Sequence, residues 1–110
     1  RKKLGDRLGD GIDWVSQRGE TPGWDMEYLD ENQEKIVLEV KGTTLPIFPN
    51  IELTANEWNA ARELGSRYIL ALVCEAHGNR PRIHLLKDPY SLYENGEIET
   101  EPTGWRIVRK

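Results

Sequence analysis

Glu39 and Lys41 stand two residues apart in Lys35-Ile36-Val37-Leu38-Glu39-Val40-Lys41-Gly42, a short apolar run that closes on a carboxylate and an ammonium. Side chains in a strand alternate faces, so Ile36, Leu38 and Val40 point one way and Val37, Glu39 and Lys41 the other. The charged pair therefore shares one surface. So apolar and β-branched a segment reads as a central, largely buried strand, where charges are uncommon unless paired or functional. Asp25 supplies a second carboxylate. It lies in an alternating stretch, with Trp24, Met26 and Tyr28 on one face and Asp25 and Glu27 on the other. The polar connection Asp30-Glu31-Asn32-Gln33-Glu34 folds that stretch back as an antiparallel hairpin. Folding back brings Asp25 alongside Glu39 and Lys41.

Two carboxylates and an ammonium at one end of a strand suit metal-assisted phosphodiester hydrolysis. Mg²⁺ takes oxygen ligands, commonly one or two carboxylates plus several waters. Asp25 and Glu39 would supply those carboxylates, and the Val40 carbonyl a third oxygen. A bound Mg²⁺ or Mn²⁺ would neutralise developing phosphate charge and acidify an attacking water. Lys41 would orient that water or meet the phosphate as a compact point charge.

The elements that must hold these groups follow from the patterning. Leu4 to Asp13 is rich in Gly and Asp and reads as turns, Ile12 to Ser16 as a first strand, and Gln17 to Gly23 as a loop. After the hairpin, Gly42 to Asn50 carries two prolines and forms an excursion, and Ile51-Glu52-Leu53 reads as a short strand. Thr54-Ala55-Asn56-Glu57 is a capping box that opens a helix to about Leu64, with Trp58, Ala61 and Leu64 on one face and Gly65 as its stop. Tyr68 to Cys74 reads as a buried strand, and Arg82 to Leu86 as a strand pairing back on it. Asp88-Pro89 opens a short helix through Tyr93, and Trp105 to Val108 is expected to be a last edge strand. The order β-β-β-β-α-β-β-α-β implies an α+β, mixed α/β domain: one central mixed sheet with a helix packed across it.

The 110 residues are expected to form a single domain, and because they open on Arg1 they are expected to be a piece of a longer protein, with Arg1 to Leu8 the tail of a truncated helix. A net charge of −4 argues against bulk electrostatic coating of nucleic acid, though not against a nuclease whose acidic residues bind metal. No apolar run is long enough to span a bilayer. The lone Cys74 excludes an internal disulfide and points to a reducing, cytoplasmic setting. Neither His77 nor His84 has a partner at zinc-ligand spacing, and there is no G-x-S-x-G elbow. Among apolar neighbours, His84 reads as a satisfied structural histidine, and the four tryptophans, Trp14, Trp24, Trp58 and Trp105, read as core. Thr54 and Glu57 are explained by capping. Arg62, Arg67, Arg80 and Arg82 would form a phosphate-facing set if the helix and hairpin ends converge.

Asp25 followed by Glu39-Val40-Lys41 resembles the D…(D/E)xK signature of the PD-(D/E)XK nuclease superfamily. The surrounding words are more specific: Trp14-Val15-Ser16, Gly23-Trp24-Asp25, Leu38-Glu39-Val40-Lys41-Gly42-Thr43, Leu53-Thr54 with Asn56-Glu57-Trp58 and Ala61, then Tyr68 before an apolar strand. In that order they resemble the C-terminal domain of the NO VEIN protein family over roughly residues 12 to 90. The resemblance implies a restriction-endonuclease-like fold attached to other domains in a parent protein, in restriction or phage-defence settings, with DNA as the partner. It also implies that the motif carboxylates are Asp25 and Glu39 and the motif lysine Lys41. Many such nucleases add an acidic residue from a helix before the first strand; Asp6 or Glu20 would have to supply it here. Two functions remain in view, a Mg²⁺-dependent DNA endonuclease module and a catalytically inactive module of the same fold that binds nucleic acid or a protein partner.

Overall fold

Asp30 builds the turn that folds the first hairpin. Its Oδ1 accepts from the amides of Asn32 and Glu34 at 2.8 and 2.9 Å, and its backbone closes the loop with Gln33 and Glu34. An aspartate that bonds the backbone just ahead of it is a local turn former that needs no tertiary help. The computed structural model describes residues 23–103 and 107–109. Within them the turn joins β1 (Met26–Leu29) to β2 (Lys35–Gly42), antiparallel, with Met26 opposite Leu38 and Leu29 opposite Lys35.

From β2 the chain crosses over through α1 (Ala55–Leu64) and a 3₁₀ turn (Gly65–Arg67) into β3 (Tyr68–Cys74), which lies parallel to β2 with Val37 opposite Tyr68 and Lys41 opposite Leu72. Parallel neighbours require such a crossover. β4 (Arg82–Lys87) returns antiparallel on β3, and α2 (Pro89–Glu94) follows. The sheet order is β1-β2-β3-β4, so β2 is central, as its composition implies, and the α+β class with a mixed sheet and helices against it holds.

Register assigns the faces. Val37, Tyr68, Leu70 and Leu72 turn toward α1 and form the core with Ala60 and Ala61. Trp24, Trp58 and Leu64 border that cluster. Trp58 also lies 5.4 and 5.6 Å from the rings of Tyr90 and Tyr93, tying α1 to α2 in tilted and edge-on contacts favoured by aromatic quadrupoles. Both caps form as the sequence implies: Thr54 Oγ1 accepts from Glu57 N at 3.1 Å while Glu57 Oε1 accepts from Thr54 N at 2.9 Å, and Asp88 Oδ1 accepts from Ser91 N at 3.2 Å. Gly65 ends α1 at a positive φ of 57°.

Three expectations are corrected. Ile51–Leu53 is not a strand: β1 and β3 already occupy both edges of β2, and Ile51 and Leu53 instead lay their side chains against the core on the way to the Thr54 cap. His84 is exposed, because β4 is the sheet edge and the helices rest mainly on β3. In the stretch expected as a last edge strand, Ile107 and Val108 are unpaired, 95% and 68% exposed; Trp105 lies outside the described residues. So do the expected strand Ile12 to Ser16 with Trp14, the truncated helix Arg1 to Leu8, and Asp6 and Glu20.

Gly23 fixes where the first hairpin enters the sheet. At φ 110° its backbone lies so close to α1 that a Cβ would sit 2.8 Å from the Asn56 carbonyl oxygen and 3.0 Å from Ala60 Cβ. Its own carbonyl accepts a 2.9 Å hydrogen bond from the fully buried Tyr68 hydroxyl. Gly23→Ala therefore combines a disfavoured φ with a backbone clash and is expected to lower unfolding free energy by about 1–3 kcal/mol. Urea denaturation checks this; an unchanged midpoint would mean that the entry loop is not held against α1.

Candidate functional site

Immediately before β1, Asp25 extends the hairpin with a side chain in place of backbone. Its amide donates to the Leu38 carbonyl at 2.9 Å, and its Oδ2 accepts the Val40 amide at 2.9 Å. Within a strand the N–H and C=O of one residue face the same edge. The Val40 carbonyl thus shares the edge that Asp25 occupies. Asp25 is not a free turn residue; it is fastened to the central strand one residue beyond Glu39.

Glu39 points to the α1 face and is only 5% exposed. Lys41, two residues on, shares that face. Its Nζ lies 3.4 Å from Glu39 Oε2 and donates to Glu57 Oε1 at 3.0 Å. Glu57 is the third residue of α1, and that same oxygen accepts the Thr54 amide of the capping box. The site therefore spans β2, the segment entering β1 and the first turn of α1.

Surplus negative charge governs its protonation. Burial pushes the Glu39 carboxyl up to about 8, aided by its hydrogen bond with Glu57 and by the charges of Asp25 and Glu57, while Lys41 offsets part of the rise. Burial also works to raise Glu57, but the Thr54 amide and the Lys41 and Glu39 hydrogen bonds outweigh it and hold Glu57 below the usual carboxylate range. Burial pulls the Lys41 ammonium down, yet the bond to Glu57 and the charges of Glu57 and Glu39 leave it raised overall, so it stays cationic at neutral pH. The Tyr68 hydroxyl is driven up by burial and by Glu39, Glu57 and Asp25, and remains a neutral donor to Gly23. In the metal-free protein near neutrality, a protonated Glu39 donates to an ionised Glu57, which also holds Lys41.

The sequence-predicted residues Asp25, Glu39, Val40 and Lys41 lie together. The arginines do not converge: Arg67 directly precedes β3, while Arg82 pairs with its last residue, Cys74, roughly 20 Å away along a seven-residue strand. Arg82 is engaged elsewhere, with the Pro46 carbonyl and, at 4.0 Å, with Glu75. Glu57 is the group that sequence reasoning left out of the site. Its signal was present in the capping box, but only the parallel pairing of β2 with β3 shows that the start of α1 hangs over Lys41.

Asp25, Glu39 and Glu57 do not close on one point: among the described residues no group of three or more His, Cys, Asp or Glu is arranged to hold a metal. Asp25, Glu39 and the Val40 carbonyl would be the oxygen donors to a cation, and a hard cation such as Mg²⁺ commonly takes one or two protein carboxylates and keeps several waters. A desolvated surplus of carboxylates around one ammonium is an electrostatic condition that a divalent cation would relieve. Concavity does not mark the place. An open cleft of about 200 Å³ lies between Trp24 and α1, lined by Asn56, Asn59, Ala60, Glu63 and Leu64, and includes none of these donors.

The model of a protein family described as Protein NO VEIN, C-terminal, matches residues 2–86. No curated protein and no solved structure matches the chain. Among the described residues no helix is long and apolar enough to cross a membrane.

Glu39 gives the metal-free fold a pH dependence of fixed sign. Between the ordinary carboxylate range and about 8 the folded chain keeps a proton that the unfolded chain has lost, so stability is full below that window and falls as pH rises through it. In chelator-containing buffer, Tm is expected to drop by several degrees between pH 5 and 8. Glu39→Gln should flatten that slope, and a parallel slope in the variant would remove Glu39 as its cause.

Proposed function

We propose, for a chain that belongs to the NO VEIN C-terminal family, that it is a Mg²⁺- or Mn²⁺-dependent DNA endonuclease module of PD-(D/E)XK type, working within a restriction or phage-defence protein. The observation that carries this reading is the grouping at the end of β2 of Asp25 on the Val40 amide and of Glu39 beside the Lys41 ammonium, two carboxylates and a cation held by strand, loop entry and helix.

Asp25, through the oxygen not taken by Val40 N–H, Glu39 and the Val40 carbonyl would hold the ion. When bound, such an ion stabilises charge on the phosphoryl oxygens and acidifies a coordinated water. Lys41, a quarter exposed and on the same face as Glu39, would orient the water or meet a phosphate oxygen. Burial of Glu39 strengthens each of these electrostatic interactions by excluding water. The second reading, an inactive module that binds nucleic acid or a protein partner, draws support from one feature: Asp25 is engaged by the Val40 amide, and Lys41 by Glu39 and Glu57, within the chain itself.

Cleavage decides between the two. The protein is expected to nick or cut DNA with Mg²⁺ or Mn²⁺, and Asp25→Asn or Lys41→Ala should reduce the rate about 100-fold or more while leaving the circular dichroism spectrum unchanged. Equal cleavage by wild type and both folded variants would remove the catalytic assignment. DNA binding with no cleavage by any of them would favour the inactive module.

A further inference from the structure

We propose that Glu57 is a positioning residue for Lys41, holding the ammonium between helix and sheet so that Glu39 shares it and does not pair with it alone. The inference rests on the nuclease reading only for what Lys41 and Glu39 do; the link between Glu57 and Lys41 stands on geometry alone.

A capping glutamate at the third helical position has one local task, to accept the amide of the cap residue. Glu57 performs it, at 2.9 Å from Thr54 N. A cap of this kind ordinarily faces solvent, yet the Glu57 side chain is only 15% exposed, because the first turn of α1 is laid over the end of β2. The same Oε1 that takes the Thr54 amide takes Lys41 Nζ at 3.0 Å. Lys41 therefore spans the gap from the β2 face to α1, its stem along the sheet and its head between two carboxyl groups.

The distances rank its partners: 3.0 Å to Glu57 and 3.4 Å to Glu39. The N-terminal amides of α1 and their dipole favour a fixed negative charge at Glu57. With that charge present, Lys41 is shared between Glu57 and Glu39, which would leave the Glu39 carboxyl open to exchange toward a cation and the ammonium open to water or phosphate. With it removed, Glu39 is the nearest acid left to Lys41, and a full Lys41–Glu39 pair would compete with any ion at Glu39. One oxygen thus couples the start of the helix to the chemistry at the end of the strand.

Two variants separate positioning from folding. Glu57→Gln keeps a capping-box residue, since its amide oxygen still accepts Thr54 N–H, but removes the negative charge that faces Lys41. Thr54→Ala removes the other half of the cap and leaves the Glu57–Lys41 contact untouched. Measured on the full chain, Glu57→Gln should leave Tm near that of wild type, shift the side-chain ¹⁵Nζ resonance of Lys41, and weaken Mn²⁺ binding, read by titration calorimetry, by about tenfold or more, the range seen for groups that orient metal ligands. Thr54→Ala should lower Tm and change neither the resonance nor Mn²⁺ affinity. An unmoved Lys41 resonance in Glu57→Gln overturns the proposal, as does a Thr54→Ala variant that loses Mn²⁺ affinity to the same degree. A wild-type protein that binds no Mn²⁺, with the Lys41 resonance still moved by Glu57→Gln, would sink the nuclease reading and leave the positioning role in place.

Discussion

A carboxyl group that is 5% exposed at a helix–sheet interface sets the terms for this fold. Removing Glu39 from water is costly unless its oxygens find partners or a proton. The chain supplies a Lys41 two residues along the same strand face and a Glu57 that hydrogen-bonds Glu39 from across the interface, and burial favours the protonated form of Glu39. Replacing the site by apolar side chains would relieve the electrostatic strain, as it does for many buried ionic groups. An acid kept at a buried position of the central strand is therefore poorly explained by stability.

The fold meets this demand through its crossover. Because β2 and β3 are parallel, the chain must travel back along the sheet before β3 begins, and α1 does so with its first turn above the end of β2. That places the positive end of a helix, with its capping carboxylate, over Lys41. On the other side, Gly23 presses the entry to β1 against α1, and Tyr68 holds the Gly23 carbonyl. Two residues later Asp25 reaches the Val40 amide. Helix, hairpin entry and central strand are locked to one another at the place where the charged groups meet, so the site and the core are secured by the same contacts.

The legible part of the sequence was local. Alternation in Lys35 to Lys41 gave the facing of Glu39 and Lys41, the polar Asp30 to Glu34 loop gave the hairpin and with it Asp25, and Thr54 with Glu57 gave the start of the helix. Each rests on a period or motif completed within a few residues. What escaped was decided by position in the sheet. Ile51–Leu53 has strand composition but no free edge beside β2, and His84 sits in an apolar pattern on the edge strand, where it is exposed. Strand propensity measures fit to a half-buried surface, and that surface is known only once the neighbours are placed.

Glu57 shows most clearly why a motif explained by one role can conceal another. The capping box accounts for its type, spacing and one hydrogen bond, and a reading from sequence has no reason to ask for more. Yet a cap oxygen has two lone pairs, and Glu57 Oε1 spends only one on Thr54. The other is aimed wherever the first turn of the helix is aimed, which the parallel register of β2 and β3 determines. In this fold that direction is the end of the central strand, where Lys41 waits within 3.0 Å. The same geometry recurs wherever a strand runs, through a helix, into a parallel neighbour: the start of the helix lies near the end of the first strand, and a carboxylate placed there for capping stands next to whatever chemistry that strand end carries.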